Sequence, residues 1–190
     1  MTQRKEEIIA TASSLFRKKG YNAVSMRLLA QEVGIKAASL YNHIDSKQEI
    51  LAHIILGVAQ RFTDGMEVVK VLEVDPLKKI REVILLHIEI TLDDPEGMES
   101  LQNNWLYLEG DSMVAYKASR NAYEENLRNI IKEGIVTGHI RNVNPELLIY
   151  SILSTLRYLY IWYPRQKDID PERLKEEMMV VILQGMERGR

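Results

Sequence analysis

The chain has 190 residues, 46% of them apolar and 27% charged, with a formal net charge of −2. That length buries the core of one or two small domains, and the composition is ordinary for a globular chain. The absence of cysteine excludes a disulfide framework, a thiolate metal site and a cysteine nucleophile.

The N-terminal residues, MTQRKEEIIATA, lack the apolar run of a secretory signal. The most apolar stretch, residues 147–163, is 17 residues long and contains Arg157, too short and too polar for a membrane span. A cytoplasmic location and no membrane partner are therefore expected. Charge is unevenly spread. Residues 1–50 hold eight Lys/Arg against five Asp/Glu, giving +3; the remainder holds 17 against 22, giving −5. A basic end on an acidic body suits a protein that places one face on phosphates.

The first helix is expected over 3–19, burying Ile8, Ile9, Ala12, Leu15 and Phe16, with Arg17, Lys18 and Lys19 in its last turn and Gly20 closing it. Ser25 then caps a second helix from Met26 to Val33, with apolar positions at Leu28, Leu29, Ala30 and Val33. Gly34 supplies the left-handed turn that ends it. A third short helix over 37–44 buries Leu40 and Ile44, four apart, and leaves an unusually polar outer face. Helix, glycine turn and helix with a polar face is the layout of a helix-turn-helix. Ser46 and Glu49 form a capping box for a fourth helix, which buries Ile50, Leu51, Ile54, Ile55, Val58 and Phe62.

Beyond it, proline marks the helix starts. Asp75-Pro76, Asp94-Pro95, Asn144-Pro145 and Asp170-Pro171 each pair an Asx cap with proline at the first helical position. They predict helices over 76–92, 95–103, 145–163 and 171–187, with a long helix over 111–137 ending at Gly138. No alternating run is long enough for a strand. The expected fold is all-α with about nine helices: a three-helix head over 1–47 and a helical-bundle body for ligand binding and dimerisation over 48–190.

The head resembles the TetR family of bacterial transcriptional regulators. The matching features are AxEVGI in the second helix and turn, then SLYNHIDSKQEIL, whose specific core is Leu40, Tyr41, His43 and Lys47. Ile44 stands where an aromatic is usual and can fill the same core slot. The motif covers roughly the first 50 residues. The resemblance implies a dimer on double-stranded operator DNA, with Ser25 and Met26 near a phosphate and Tyr41 and Lys47 binding phosphate oxygens. Arg27, Lys36, Ala37, Ala38, Ser39, Asn42 and His43 are implied to lie within reach of base edges or flanking phosphates. Arg27 is the best guanine reader and Asn42 could pair with adenine; Ala37 and Ala38 can offer only apolar contact to a thymine methyl. Direct readout is sparse, so part of the specificity is expected from DNA shape.

In the body, 13 of the 17 residues over 147–163 are apolar or aromatic, a pattern expected to be buried on all sides. The last helix carries Leu174, Met178, Val181, Ile182, Gly185 and Met186 as one stripe. These two helices, the eighth and ninth, are expected to form a homodimer seam. Polar groups among aromatics suggest a small-molecule site: His87, Asn104, Trp105, Tyr107, Arg120, Tyr123, Arg157, Tyr158 and Trp162. The run YLYIWYPRQKDIDPERLKEE resembles the end of the acyl-CoA-responsive branch of the family, with Arg165, Gln166 and Lys167 replacing the glycines expected after the proline. It implies an acyl-CoA effector, with Arg157, Arg165 or Lys167 facing its phosphates.

The expected function is a ligand-responsive repressor. An enzyme would need a catalytic constellation, but His43, His53, His87 and His139 are scattered and no Glu-x-x-His pair occurs. No cofactor, metal or catalytic residue is expected. An architectural DNA binder without an effector is the alternative that the acidic, aromatic-rich body disfavours.

Overall fold

The computed structural model describes residues 2–186. Among these, the chain forms ten α-helical segments and no β-strand: α1 (Gln3–Lys19), α2 (Met26–Glu32), α3 (Ala37–Leu40), α4 (Lys47–Lys70), α5 (Pro76–Asp93), α6 (Pro95–Asn103), α7 (Gly110–Val136), α8 (Pro145–Arg157), α9 (Leu159–Trp162) and α10 (Pro171–Gln184). The last helix ends at Gln184 with Gly185 as its C-cap, short of the expected 187, a residue that lies outside the described ones. The chain groups into two compact units. One contains the chain up to Ala59 together with Asp94–Lys117; the other contains Gln60–Asp93 and the chain from Ala118 onward. The first unit runs past the boundary expected at residue 47, as far as Ala59, and α4 and α7 contribute to both units.

In the first unit, the five apolar residues expected inside α1 are all buried. Thr2 caps α1, its hydroxyl accepting from Lys5 N at 3.4 Å, and Gly20 leaves the helix with φ of +80°. Ser25 caps α2 by accepting from Leu28 N at 3.1 Å. Gly34 has φ of +74°, which lets Ile35 N reach back to Ala30 O at 2.9 Å and turns the chain toward α3. The predicted third helix is shorter than its periodicity suggests. It is α-helical only over Ala37–Leu40 and then tightens, with Asn42 N bonding Ser39 O and His43 N bonding Leu40 O. Leu40 and Ile44 are fully buried, so Ile44 does fill the core slot.

The capping box forms with one departure. Ser46 Oγ accepts from Glu49 N at 3.0 Å, but the Glu49 carboxylate returns to Asp45 N at 2.6 Å rather than to Ser46 N. Its other oxygen pairs with Lys5 Nζ at 2.5 Å, tying α4 to α1. α6 packs along α1, and an Arg17–Glu99 ion pair at 3.3 Å joins them.

In the second unit, each Asx-Pro start behaves as its chemistry dictates. Asp75 accepts from Lys78 N, Asn144 from Glu146 N and Asp170 from Arg173 N, all within 3.0 Å. The helix expected over 145–163 is not continuous. Tyr158 sits at φ −93°, ψ −2°, outside the helical well, and separates α8 from the one-turn α9 and a 3-10 turn over Tyr163–Arg165. Nor is this stretch buried on all sides. Ile149, Ile152, Leu153 and Leu156 face the core, whereas Leu147, Tyr150 (73% exposed) and Tyr158 form an outward stripe at helical spacing. α10 divides in the same way: Leu174, Met179 and Ile182 face in, and Val180 and Val181 (68% exposed) face out.

Asp94 caps α6 by accepting from Gly97 N at 2.8 Å. A Cβ at Gly97 would stand 2.1 Å from the Asp94 carboxylate and 2.8 Å from the Val58 side chain, so only glycine admits the cap and the approach of α4 together. Gly97→Ala should lower stability by about 1–3 kcal/mol in a denaturant titration, the usual cost of overpacking a tight site. An unchanged midpoint would show that the cap is dispensable.

Candidate nucleic-acid interface and effector site

The first unit presents a polar face built by α2, α3 and the start of α4. Arg27, Lys36, Ala37, Ala38, Tyr41 and Asn42 are exposed, with Met26, Ser39, His43 and Lys47 half-buried beside them. Ser25 is exposed, but its hydroxyl is engaged in capping α2. Tyr41 is 51% exposed, which separates it from a core tyrosine and leaves its phenol available to an external acceptor. Leu40 and Ile44, buried behind this face, fix its orientation. Lys47 is more constrained than its sequence position suggests: Nζ donates to Tyr21 O at 3.0 Å and lies 4.2 Å over the Tyr21 ring. Partial burial lowers its pKa from the ordinary lysine value.

The residues singled out for a ligand divide between the units. Asn104, Trp105 and Tyr107 belong to the first. Trp105 packs on Tyr116 with ring centroids 5.6 Å apart. Tyr107 stacks on Tyr21 at 5.2 Å and its hydroxyl bonds Asn22 Nδ2 at 3.0 Å. These contacts explain Asn22 and Tyr21 as partners, which no sequence pattern had indicated.

His87, Arg120, Tyr123, Arg157, Tyr158 and Trp162 belong to the second unit. His87 on α5 and Tyr123 on α7 are brought together, His87 Nε2 lying 3.0 Å from the Tyr123 hydroxyl. Phe62 closes the cluster, 4.5 Å from the imidazole and 5.8 Å from the phenol ring. His87 is only 3% exposed and its Nδ1 is buried without a hydrogen-bond partner. Burial, with a smaller effect from the Arg157 charge, pushes the imidazole pKa down to about 3, so it is neutral near pH 7. Burial raises the Tyr123 phenol. Arg157 is held by Glu124 at 2.8 Å. Arg120 is half-buried on α7. Tyr158 and Trp162 stand on the outer side of α8 and α9, 66% and 44% exposed, away from this cluster.

A surface groove of about 690 Å³ runs between the second half of α4 and α5, lined by Val68, Val69, Leu72, Leu85 and Leu86 with Lys78 and Arg81 at its rim. None of the residues singled out from the sequence lines it. No group of three or more His, Asp or Glu suited to a metal occurs among the described residues.

Two family models match the chain. "Bacterial regulatory proteins, tetR family" covers residues 8–54, and "Tetracyclin repressor-like, C-terminal domain" covers residues 73–186. The protein belongs to the TetR family. Among curated relatives, the HTH-type transcriptional repressor KstR2 of Mycobacterium tuberculosis is 20% identical over 195 aligned positions, spanning 98% of this chain and 94% of that one. The solved structure of that ketosteroid regulator superposes with a TM-score of 0.93 at 18% identity, over 100% of this chain and 97% of its own. PfmR from Thermus thermophilus is 29% identical with a TM-score of 0.84, covering 95% and 99%. AibR, crystallised with isovaleryl coenzyme A and operator DNA, has a TM-score of 0.83 at 22% identity, covering 95% and 98%. No described helix of this TetR-family chain is long and apolar enough to cross a membrane.

The buried imidazole has a measurable consequence. Its folded pKa lies below the unfolded value near 6.5, so below that pH the unfolded state binds the extra proton. Stability should fall as pH drops from about 6.5 to 5, by up to about 1.4 kcal/mol per pH unit from this group. His87→Gln should flatten that slope in denaturation midpoints; equal slopes for the two proteins would place the titration elsewhere.

Proposed function

We propose that this protein is a ligand-responsive transcriptional repressor, a homodimer that binds a palindromic operator and is released from it by a small apolar or acyl-CoA-type effector. The observation that carries this reading is the exposed face of the short α3. Lys36, Tyr41 and Asn42 project from a backbone fixed by buried Leu40 and Ile44. Arg27 from α2 and Lys47 from α4 flank them. Tyr41 and Lys47 would hold phosphate oxygens, with Ser25 and Met26 close to a further phosphate. Arg27 and Asn42 would read bases, and Lys36, Ala37, Ala38, Ser39 and His43 would complete the surface against the groove. KstR2 is a transcriptional repressor by name, which supports repression here, and the family's role as DNA-binding regulators supports a cytoplasmic, non-enzymatic protein.

The effector reading rests on His87. A buried imidazole nitrogen without a partner costs roughly 1–3 kcal/mol, which a ligand's polar group could recover. The neutral His87–Tyr123 pair favours an uncharged hydrogen-bonding group over a carboxylate. AibR was solved with isovaleryl coenzyme A, which supports the acyl-CoA class. With Arg157 already paired to Glu124, exposed Arg165 and Lys167 are the better candidates for the CoA phosphates. α4 runs unbroken from Lys47 to Lys70 and, like α7, belongs to both units, so it is one covalent path by which a bound effector would act on the DNA-binding unit.

Operators would be selected from a random duplex library and candidate acyl-CoAs titrated calorimetrically with and without them. A true effector should bind at least tenfold more weakly to the operator complex, about 1.4 kcal/mol of coupling, and weaken operator binding by the same factor. Selection that returns no preferred sequence would favour the architectural alternative, and equal ligand affinity in both states would exclude release by that ligand.

Homodimers are typical of the family, and the outward stripes on α8 and α10 would supply the seam. Val181→Arg places a charge on the exposed stripe without entering the chain's own core, unlike a change at buried Ile182. It should turn the dimer into monomer or aggregate in light scattering, since an unpaired charge in a seam costs several kcal/mol. A dimer of unchanged stability would move the interface elsewhere.

A further inference from the structure

The turn over Trp105–Tyr107, between α6 and α7, contacts Tyr21, which holds Lys47, and Gln48, which follows Lys47 in the chain. Lys47 Nζ rests on Tyr21, by a 3.0 Å bond to its carbonyl and by a 4.2 Å approach to its ring. Tyr21 is itself buried, with Phe16 edge-on at 5.0 Å and Tyr107 stacked at 5.2 Å. Tyr107 also touches the residues that follow each partner in sequence. Its hydroxyl bonds Asn22 Nδ2 at 3.0 Å, and its carbonyl accepts from Gln48 Nε2 at 2.7 Å.

We infer that Tyr107 is a positioning residue for DNA binding: through Tyr21 and Gln48 it holds the Lys47 ammonium where it meets a backbone phosphate. This rests on the reading that Lys47 contacts DNA. A free lysine side chain loses about 2 kcal/mol of rotamer entropy when fixed. Here that loss is already met within the folded protein. An ammonium has three donors and the Tyr21 carbonyl takes one, so two remain for phosphate oxygens. Packing alone does not account for the arrangement. Tyr107 is 41% exposed, yet both its hydroxyl and its carbonyl are committed to the contacts around Lys47. The position assigns a role to Tyr107 different from the ligand contact expected of it, and it touches DNA only through another residue.

The test uses full-length protein and end-labelled mixed-sequence duplex DNA, because a phosphate contact is independent of operator sequence. Fluorescence anisotropy gives affinity against salt concentration. Lys47→Ala should reduce the slope of log affinity against log salt by about 0.9 per protomer, one phosphate contact each. Tyr107→Ala should reduce it equally, Tyr107→Phe should restore most of it by keeping the ring stack, and the double variant should match Lys47→Ala alone. Tyr107→Leu, which keeps apolar cover over Tyr21, serves the same comparison should the alanine variant unfold, and should lose the same slope. A wild-type slope in folded Tyr107→Ala or Tyr107→Leu, beside a reduced slope in Lys47→Ala, overturns the inference. A wild-type slope in Lys47→Ala overturns the phosphate role of Lys47 and the inference with it. Failure of the wild-type protein to bind duplex DNA would instead overturn the DNA-binding reading itself.

Discussion

The burial of Leu40 and Ile44 is the constraint on which the exposed polar face of the first unit depends. A helix of four residues has almost no stability of its own, because nucleation costs more than so few hydrogen bonds return. α3 therefore exists only because two apolar side chains, one turn apart, are driven into the core of the first unit. Everything on its outer face inherits its direction from that burial. The neighbouring devices serve the same end. The Ser25 cap starts α2, Gly34 bends the chain, and Glu49 joins the start of α4 to both Asp45 and Lys5.

The second unit follows a different logic. Here α8 and α10 each present one apolar stripe inward and another outward. The inward stripes make the core; the outward ones are exposed on the chain. Within that core sits one neutral polar pair, His87 with Tyr123, packed against Phe62. A charged histidine could not persist there, and the depressed pKa expresses the same fact.

Chain order and spatial grouping disagree in one informative place. The stretch over Asp94–Lys117 groups with the first unit, although residues 73–186 match a family model for the C-terminal domain. α6 packs on α1, and the turn after it reaches Tyr21, Asn22 and Gln48. A division by chain order alone does not reveal this, because no local pattern distinguishes a helix that packs on α1 from one that packs on α5.

Local chemistry was sufficient where the deciding partner lies within one turn. The caps at Ser25, Asp75, Asp94, Asn144 and Asp170 and the stop at Gly34 were legible, because a side-chain oxygen two or three residues from an unpaired N–H, or a glycine with no Cβ, settles the backbone by itself. Periodicity likewise gave the buried faces of α1 and α4. The motif around Leu40, Tyr41, His43 and Lys47 pointed to the family and to the exposed face. Tertiary structure decided the rest. It broke the expected eighth helix at Tyr158, turned Tyr158 and Trp162 outward, and paired His87 with Tyr123. It also placed the Tyr107 ring on Tyr21. The two pairings join residues more than thirty positions apart, and the amphipathic pattern of a single segment carries no information about its distant partner.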